Sequence, residues 1–333
     1  MKKFILVLAV IVIALGVFAS RGINKQSNPS LTTATKEPIK IGIPVYPGFG
    51  TFYIAQEKGF FKKHGVNAEI VLLSLENMVP ALKSNKVQML VASTDAMAII
   101  SDTGIKAKQI FSTSISYGAD GLVTTNSIKT VADLKGKKVY TFYGFPGHFF
   151  FRYLQEKAGL AYNDVELVNL NSEEVGSSFV AGKIDAGTTW EPWLSKAKER
   201  KDGKVLLSSR DYPGVITDIA MARNDLIVNR REDVKNFMRA FFDAVDWWEK
   251  NTDKGNAIVA KNFKLTPEEF KPMQDTVKLS NLQTNLEKFD KQKPLNAYEL
   301  TDKAGEIYLK DGVVKTKTSA DSVTDSTLLN ELR

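Results

Sequence analysis

The chain has 333 residues, 43% of them hydrophobic and 25% charged, which is ordinary for a soluble globular protein and enough for two packed lobes. Its formal charge of +7 is spread among interleaved acids, so no basic stripe points to nucleic acid. Cysteine is absent, which excludes disulfides, thiolate metal sites and cysteine nucleophiles. The two histidines, His64 and His148, lie far apart with no second histidine at ligand spacing, so neither a metal nor a cofactor is expected.

At the amino terminus, Lys2 and Lys3 precede an apolar run over residues 4–19. That run is shorter than the roughly twenty residues of a comfortable bilayer span, and Val17 and Ala19 stand at the small-residue places of a cleavage site. Residues 1–19 are read as an export signal cut after Ala19, with an uncleaved anchor as the alternative. Ser20 stands where a bacterial lipoprotein would carry cysteine, so no lipid attachment is expected. Residues 20–37 are rich in Ser, Thr, Asn and Lys and read as a flexible tether. The expected location is the periplasm or the outer face of the cytoplasmic membrane.

From residue 39 the pattern alternates strand and helix: strands at 39–45, 68–73 and 87–92, helices at 51–64 and 77–84. Alternation of this kind argues for parallel strands joined by right-handed helical crossovers. Residues 109–116 and 122–125 are β-rich, and Thr130 to Asp133 opens a capped turn leading to a new strand. The alternation restarts with helices at 148–158 and 174–181 and strands at 165–170, 186–189 and 205–208, followed by a short strand at 217–222. Residues 231–249 place Phe237, Phe241, Val245 and Trp248 at helical spacing, and Thr266-Pro267-Glu268-Glu269 is a strong helix start. The fold class is α/β, with two Rossmann-like lobes joined by two hinge crossings near 124–127 and 217–223. Lobe I takes residues 38–125 and 222–312, lobe II takes 126–221, and 313–333 form a polar tail.

Side chains at the carboxyl ends of strands in open α/β sheets face the crevice that binds ligands. Asp185 to Trp193 is such an end: Trp190 can stack on a ligand, while Glu191 can accept from an amine or instead cap the next helix. Ser93, Thr94 and Asp95 close one strand and open a helix, so they are either ligand contacts or an N-cap. Tyr46, Pro47 and Gly48 follow the first strand; Phe145, Gly147 and His148 follow the first strand of lobe II. Tyr117 and Asp120 precede one crossing and Asp218 lies inside the other, where a carboxylate can also fix backbone amides. With Glu76 and Glu191, these acids make the crevice acidic. Carboxylates buried beside a fully anionic ligand are costly unless paired or protonated, which favours a ligand carrying an amine or amidine, or a zwitterion. The Phe149 to Phe151 run and Trp247-Trp248 read as packing residues.

Several segments together carry a resemblance: Pro44 to Gly48, Ala55 to Phe61, Ser116 to Gly121, Val131 to Lys137, and Asp185 to Trp193. Over residues 40–250 the chain resembles the nitrate, sulfonate and taurine-type substrate-binding proteins of ABC importers. The resemblance implies a type II periplasmic-binding-protein fold and a small-molecule solute held between the lobes. It also implies transfer to ABC permease transmembrane subunits driven by cytoplasmic ATPases, a monomer, and no enzymatic activity. Gly144 to His148 lacks the lysine and serine or threonine of a phosphate-binding loop, as expected for a binding component. Two competing readings are a ligand-sensing domain for a membrane partner and an enzyme or precursor-binding protein resembling the fungal thiamine-pyrimidine proteins. The latter enzymes depend on cysteine and histidine chemistry, and this chain has no cysteine.

Overall fold

The computed structural model describes residues 37–333; the expected export signal and nearly all of the expected tether lie outside the described residues. Among the described residues no helix is long and apolar enough to cross a membrane. In chain order the strands are β1 (Ile39–Ile43), β2 (Ala68–Leu72), β3 (Met89–Ser93), β4 (Ala107–Ser116), β5 (Asp120–Thr125), β6 (Lys138–Thr141), β7 (Glu166–Asn169), β8 (Ala186–Trp190), β9 (Gly203–Ser208), β10 (Thr217–Arg223) and β11 (Val277–Leu279).

They form two sheets, ordered β11-β4-β10-β3-β1-β2 and β7-β6-β8-β5-β9. Pairs β1/β2, β1/β3, β6/β7 and β6/β8 are parallel, as helical crossovers require. β10 runs antiparallel between β3 and β4, and β5 antiparallel between β8 and β9. These two returning strands matter for the site because each carries an aspartate at its end.

The first sheet is backed by the predicted amphipathic helix, Arg231–Lys250, whose Phe237 and Phe241 rings lie 5.9 and 4.9 Å from Phe52. Phe241 is fully buried, and truncating such a ring costs about 3–5 kcal/mol. The expected helix over 51–64 is two helices, Thr51–Glu57 and Phe60–Lys63, parted at Gly59, whose φ of 75° favours glycine. On the second sheet, helix Pro146–Lys157 buries Phe149, Phe150 and Phe151, the packing role expected for that run.

The chain passes between the sheets earlier than the turn signals suggested. β4 continues to Ser116, the segment Tyr117-Gly118-Ala119 follows, and β5 then lies wholly in the second sheet. Gly118 has a φ of 113°, open only to glycine without strain, whereas Asn126-Ser127 merely ends β5. The return runs through residues 209–216, and β10 lies wholly in the first sheet. Helix Ala297–Lys310, assigned from sequence to the first lobe, contributes Leu300, Ala304, Ile307 and Tyr308 to the apolar cluster containing Phe149 to Phe151.

The carboxyl-terminal segment also departs from expectation. Although its composition is polar, Ala320, Val323, Leu328 and Leu329 are buried by the short helices Ala320–Val323 and Thr327–Asn330. Thr324 bridges to Gln109 of β4, and Glu331 pairs with Arg231 and Lys235 of the long helix. A few apolar residues at the right turns suffice to dock a segment whose average hydropathy suggests solvent.

Candidate functional site

Strand register assembles the site. On the first sheet, Asp218 of β10 lies opposite Ser93 of β3 and Ser114 of β4. On the second, Asp120 of β5 lies opposite Trp190 of β8. Both aspartates and their three partners therefore sit at or near strand ends on the side where the chain crosses between sheets. The turn Pro47–Gly50 after β1 packs tightly against β4: a Cβ at Gly48 would lie 2.2 Å from Ser114 Oγ, so only glycine fits. Tyr46, just before that turn, donates from its hydroxyl to Asp120 Oδ2 at 3.2 Å and so spans the two sheets.

Between these walls lies a cavity of about 140 Å³. Tyr46, Ser93, Asp95, Asp120, Asp218 and Trp190 give it polar and aromatic surface. Leu75, Met78 and Val79 from helix Leu75–Lys83, and Ile99 and Ile100 from helix Ala96–Asp102, give it an apolar flank. Tyr143 and Phe145 close it from the loop after β6, where Phe142 and Phe145 stack at 4.0 Å between centroids.

The electrostatics are one-sided. Asp95, Asp120 and Asp218 are buried, and among the described residues no Lys, Arg or His lines the cavity. Asp95 accepts from Tyr308 at 2.6 Å, Asp120 from Ser116 at 2.6 Å as well as Tyr46, and Asp218 from Ser114 at 2.7 Å. Burial, only partly offset by these hydroxyl donors, raises the Asp95 carboxyl to about 6 and Asp120 to about 6. Burial and the Asp120 and Asp95 charges push Asp218 well above the usual carboxyl range. The Tyr46 hydroxyl is raised by burial and then by the Asp120 and Asp218 charges. Ser93 Oγ is buried beside Asp95 without a hydrogen bond of normal geometry. A protonated nitrogen placed here would meet several unneutralised acceptors, whereas an oxyanion would meet like charge at close range in a low-dielectric pocket.

Of the residues predicted from sequence, Tyr46, Ser93, Asp95, Phe145, Asp120, Trp190 and Asp218 line the cavity. The others do not. Pro47 and Gly48 form the turn beneath Tyr46, and Thr94 is buried with its N–H donating to Thr217 O at 2.9 Å. Glu76 is exposed at the first turn of its helix, its carboxyl lowered by its own backbone N–H and the Ser74 hydroxyl, while its neighbours Leu75 and Met78 face the cavity. Tyr117 packs under two cations instead, with Lys278 Nζ 3.7 Å and the Arg210 guanidinium 4.7 Å from its ring. Gly147 lets helix Pro146–Lys157 approach Thr188, whose Oγ1 would lie 2.6 Å from a Cβ there. Glu191 takes the capping role, accepting from Ser195 N at 3.1 Å and Ser195 Oγ at 3.0 Å.

His148 is fully buried behind the cavity, not in it. Its Nδ1 accepts from Gly144 N at 3.2 Å and its Nε2 lies 2.8 Å from Asp311 Oδ2, while burial lowers its pKa against the pull of Asp311. His64 bonds Asp243 on the long helix at 2.8 Å. Sequence reasoning missed the apolar flank and Tyr308. The flank was readable only as a helical i, i+3, i+4 stripe, which looks the same whether it faces a core or a cavity. Among the described residues no group of His, Asp and Glu is arranged to hold a metal ion.

Two α/β sheets joined by paired crossings, with a ligand-sized cavity at the strand ends between them, define the periplasmic-binding-protein fold. The periplasmic aliphatic sulphonate-binding protein SsuA of Escherichia coli superposes with a TM-score of 0.71 at 18% identity, over 88% of this chain and 99% of that one. Residues 46–254 match the family described as NMT1/THI5 like, and the chain belongs to that family. Among relatives in sequence, a Brucella abortus protein named for binding is 29% identical over 71% of this chain and 75% of its own length. A Bacillus subtilis protein named for aliphatic sulfonate binding is 26% identical over 76% of each chain. The desulfurization enzyme DSZB shares the fold, with a TM-score of 0.60 at 15% identity over 88% of this chain and 98% of that one.

Proposed function

We propose that this protein is the extracytoplasmic solute-binding component of an ABC importer, whose two lobes close over a small solute and present it to a membrane permease. The relatives named for binding support the receptor role. The solute carries an amine or amidine, alone or as part of a zwitterion, on a compact apolar or aromatic body. One observation carries that choice: three buried carboxylates line the cavity and, among the described residues, no cationic side chain does. A ligand cation would favour their ionised forms, so its binding should strengthen as pH rises through the carboxyl midpoints. Trp190, Phe145 and Tyr143 supply ring faces for a flat body or for the cation itself.

The sulfonate names of some relatives point to a different head group, for which the described residues of this cavity offer hydroxyls but no positive charge. An enzymatic reading would have to do without cysteine and histidine, since there is no cysteine and neither His64 nor His148 lines the cavity. The test is a thermal-shift panel on refolded, ligand-stripped protein, with benzamidine, small amines, aminopyrimidines, taurine, alkylsulfonates and nitrate. A ligand at a hundred times its Kd adds about 2.7 kcal/mol and raises Tm by several degrees. Stabilisation by protonatable nitrogen compounds is the expected result; stabilisation by nitrate or alkylsulfonates alone overturns the reading.

A further inference from the structure

We infer that Tyr308, outside the strand-end set, is the positioning residue of this cavity: it holds the Asp95 carboxylate in place from the first sheet and couples its charge state to the second. The ligand part of this inference rests on the proposed binding of a cationic group; the Asp95 part does not.

Tyr308 lies on helix Ala297–Lys310 and is fully buried. Its hydroxyl is 2.6 Å from Asp95 Oδ2 and 3.1 Å from the Phe145 carbonyl oxygen. Asp95 follows β3 of the first sheet, while Phe145 follows β6 of the second and lines the cavity. One phenol therefore bridges the two walls. Its ring stacks on His148 at 5.1 Å, and His148 stacks on the cavity residue Tyr143 at 4.7 Å. Three residues on, Asp311 is held by His148 Nε2 at 2.8 Å and by Arg152 at 2.5 and 3.0 Å, all from helix Pro146–Lys157. The end of the Tyr308 helix is thus clamped by a buried ion pair to the second-sheet side, and Tyr308 reaches from that fixed base to a carboxylate of the first.

A phenol has one proton to give. While Asp95 is ionised, the shorter and charge-assisted bond takes it. When Asp95 gains a proton, the Tyr308 hydroxyl is free to donate to the Phe145 carbonyl instead. Tyr308 can therefore pass a change of charge at Asp95 to the loop that closes the cavity. The groups that face Asp95 are Asp218 from β10, Asp120 from β5 with its donor Tyr46, Ser93 of its own strand, and Tyr308 with His148 behind it. Arg152 and Asp311 lie beyond His148 and neutralise each other. Among the described residues none of the near groups is a cation, so losing the Tyr308 hydroxyl leaves the Asp95 carboxylate only Ser93 and its own backbone N–H as donors.

The experiment is a carboxyl-carbon NMR titration of the full, ligand-free chain labelled at aspartate, with Asp95 assigned through Asp95→Asn. In Tyr308→Phe, which keeps the ring and its stack, the Asp95 midpoint should rise by about one pH unit, the value of one hydrogen bond to a charged acceptor. Tyr298→Phe removes a hydroxyl bonded to Ser326 on the same helix and should leave the midpoint unchanged. Benzamidine, as a flat monocation probe, should lose about fivefold in affinity for Tyr308→Phe at pH 6 and little at pH 8. A merely structural role would weaken binding equally at both pH values. An unmoved Asp95 midpoint in Tyr308→Phe overturns the inference. Failure of benzamidine to bind the unmodified protein, with the midpoint still moved, sinks the ligand reading and leaves the positioning role standing. Should Tyr308→Phe not fold, the Cζ resonance of Tyr308 in the unmodified chain decides: it must shift in step with Asp95, and a flat response contradicts the coupling.

Discussion

One buried carboxylate and a group of three meet opposite surroundings in this protein. Asp311 is met by the Arg152 guanidinium, His148 and Tyr162, and against the effect of burial these hydrogen bonds hold its carboxyl well below the usual range. Asp95, Asp120 and Asp218 are at least as well buried but meet only hydroxyls, and their pKa values rise. The first arrangement is complete within the chain and holds the Tyr308 helix to the second sheet. The second lacks its counter-charge, and it sits where a cavity opens. Buried charge without a partner costs stability, and under the proposed function a ligand cation supplies what the fold omits there.

The comparison breaks most visibly at Asp311. Asp311→Ala leaves Arg152, whose side chain is only 7% exposed, without its counter-charge and should cost about 3–5 kcal/mol in urea unfolding. A loss below 1 kcal/mol would mean that the pair is not the brace described.

Asp120→Asn should act in the opposite sense on the ligand-free protein. The folded-state pKa of about 6 exceeds the ordinary 3.8, so the native state binds this proton more tightly than the unfolded chain does. Wild-type stability from this group is therefore lost as pH rises from about 4 through about 6. Asparagine escapes that loss. The variant should be more stable than wild type above pH 6, by on the order of 1–3 kcal/mol, with the gain vanishing towards pH 4. Its affinity for cationic ligands should fall at least tenfold. Destabilisation at pH 7 would show that the acid is paired within the fold after all.

Neighbouring positions at the end of β8 sharpen the comparison at smaller scale. Trp190→Ala should weaken ligand binding by about tenfold, as loss of one ring contact implies. Glu191→Gln should cost less than about 1 kcal/mol through the cap on Ser195 and leave affinity unchanged. Equal effects of both on calorimetric Kd would place Glu191 in the cavity.

That pair also shows how far the sequence could be read. Strand ends were legible because apolar runs stopped at Ser93 and Trp190 and another began at Asp218, and strand ends are where such folds place ligand contacts. Orientation was less so. Trp190 lines the cavity while the next residue turns away into a cap, and Glu76 points to solvent while Leu75 faces in. His148 was a candidate ligand contact from its place after β6, but helix Pro146–Lys157 buries it against Asp311. Tyr308 had no local signal: its bond to Asp95 joins residues 213 apart, and its helix docks through tertiary packing that a single sequence does not record. The polar tail misled for the same reason, since Leu328 and Leu329 are few but well placed.

The most direct measurement is the identity of the solute the protein carries when purified without denaturation, released by unfolding and read by mass spectrometry. The account predicts a small compound with a protonatable nitrogen, released together with the rise in ligand-free pKa of the aspartate cluster. A purely anionic compound, such as an alkylsulfonate without an amine, would contradict it.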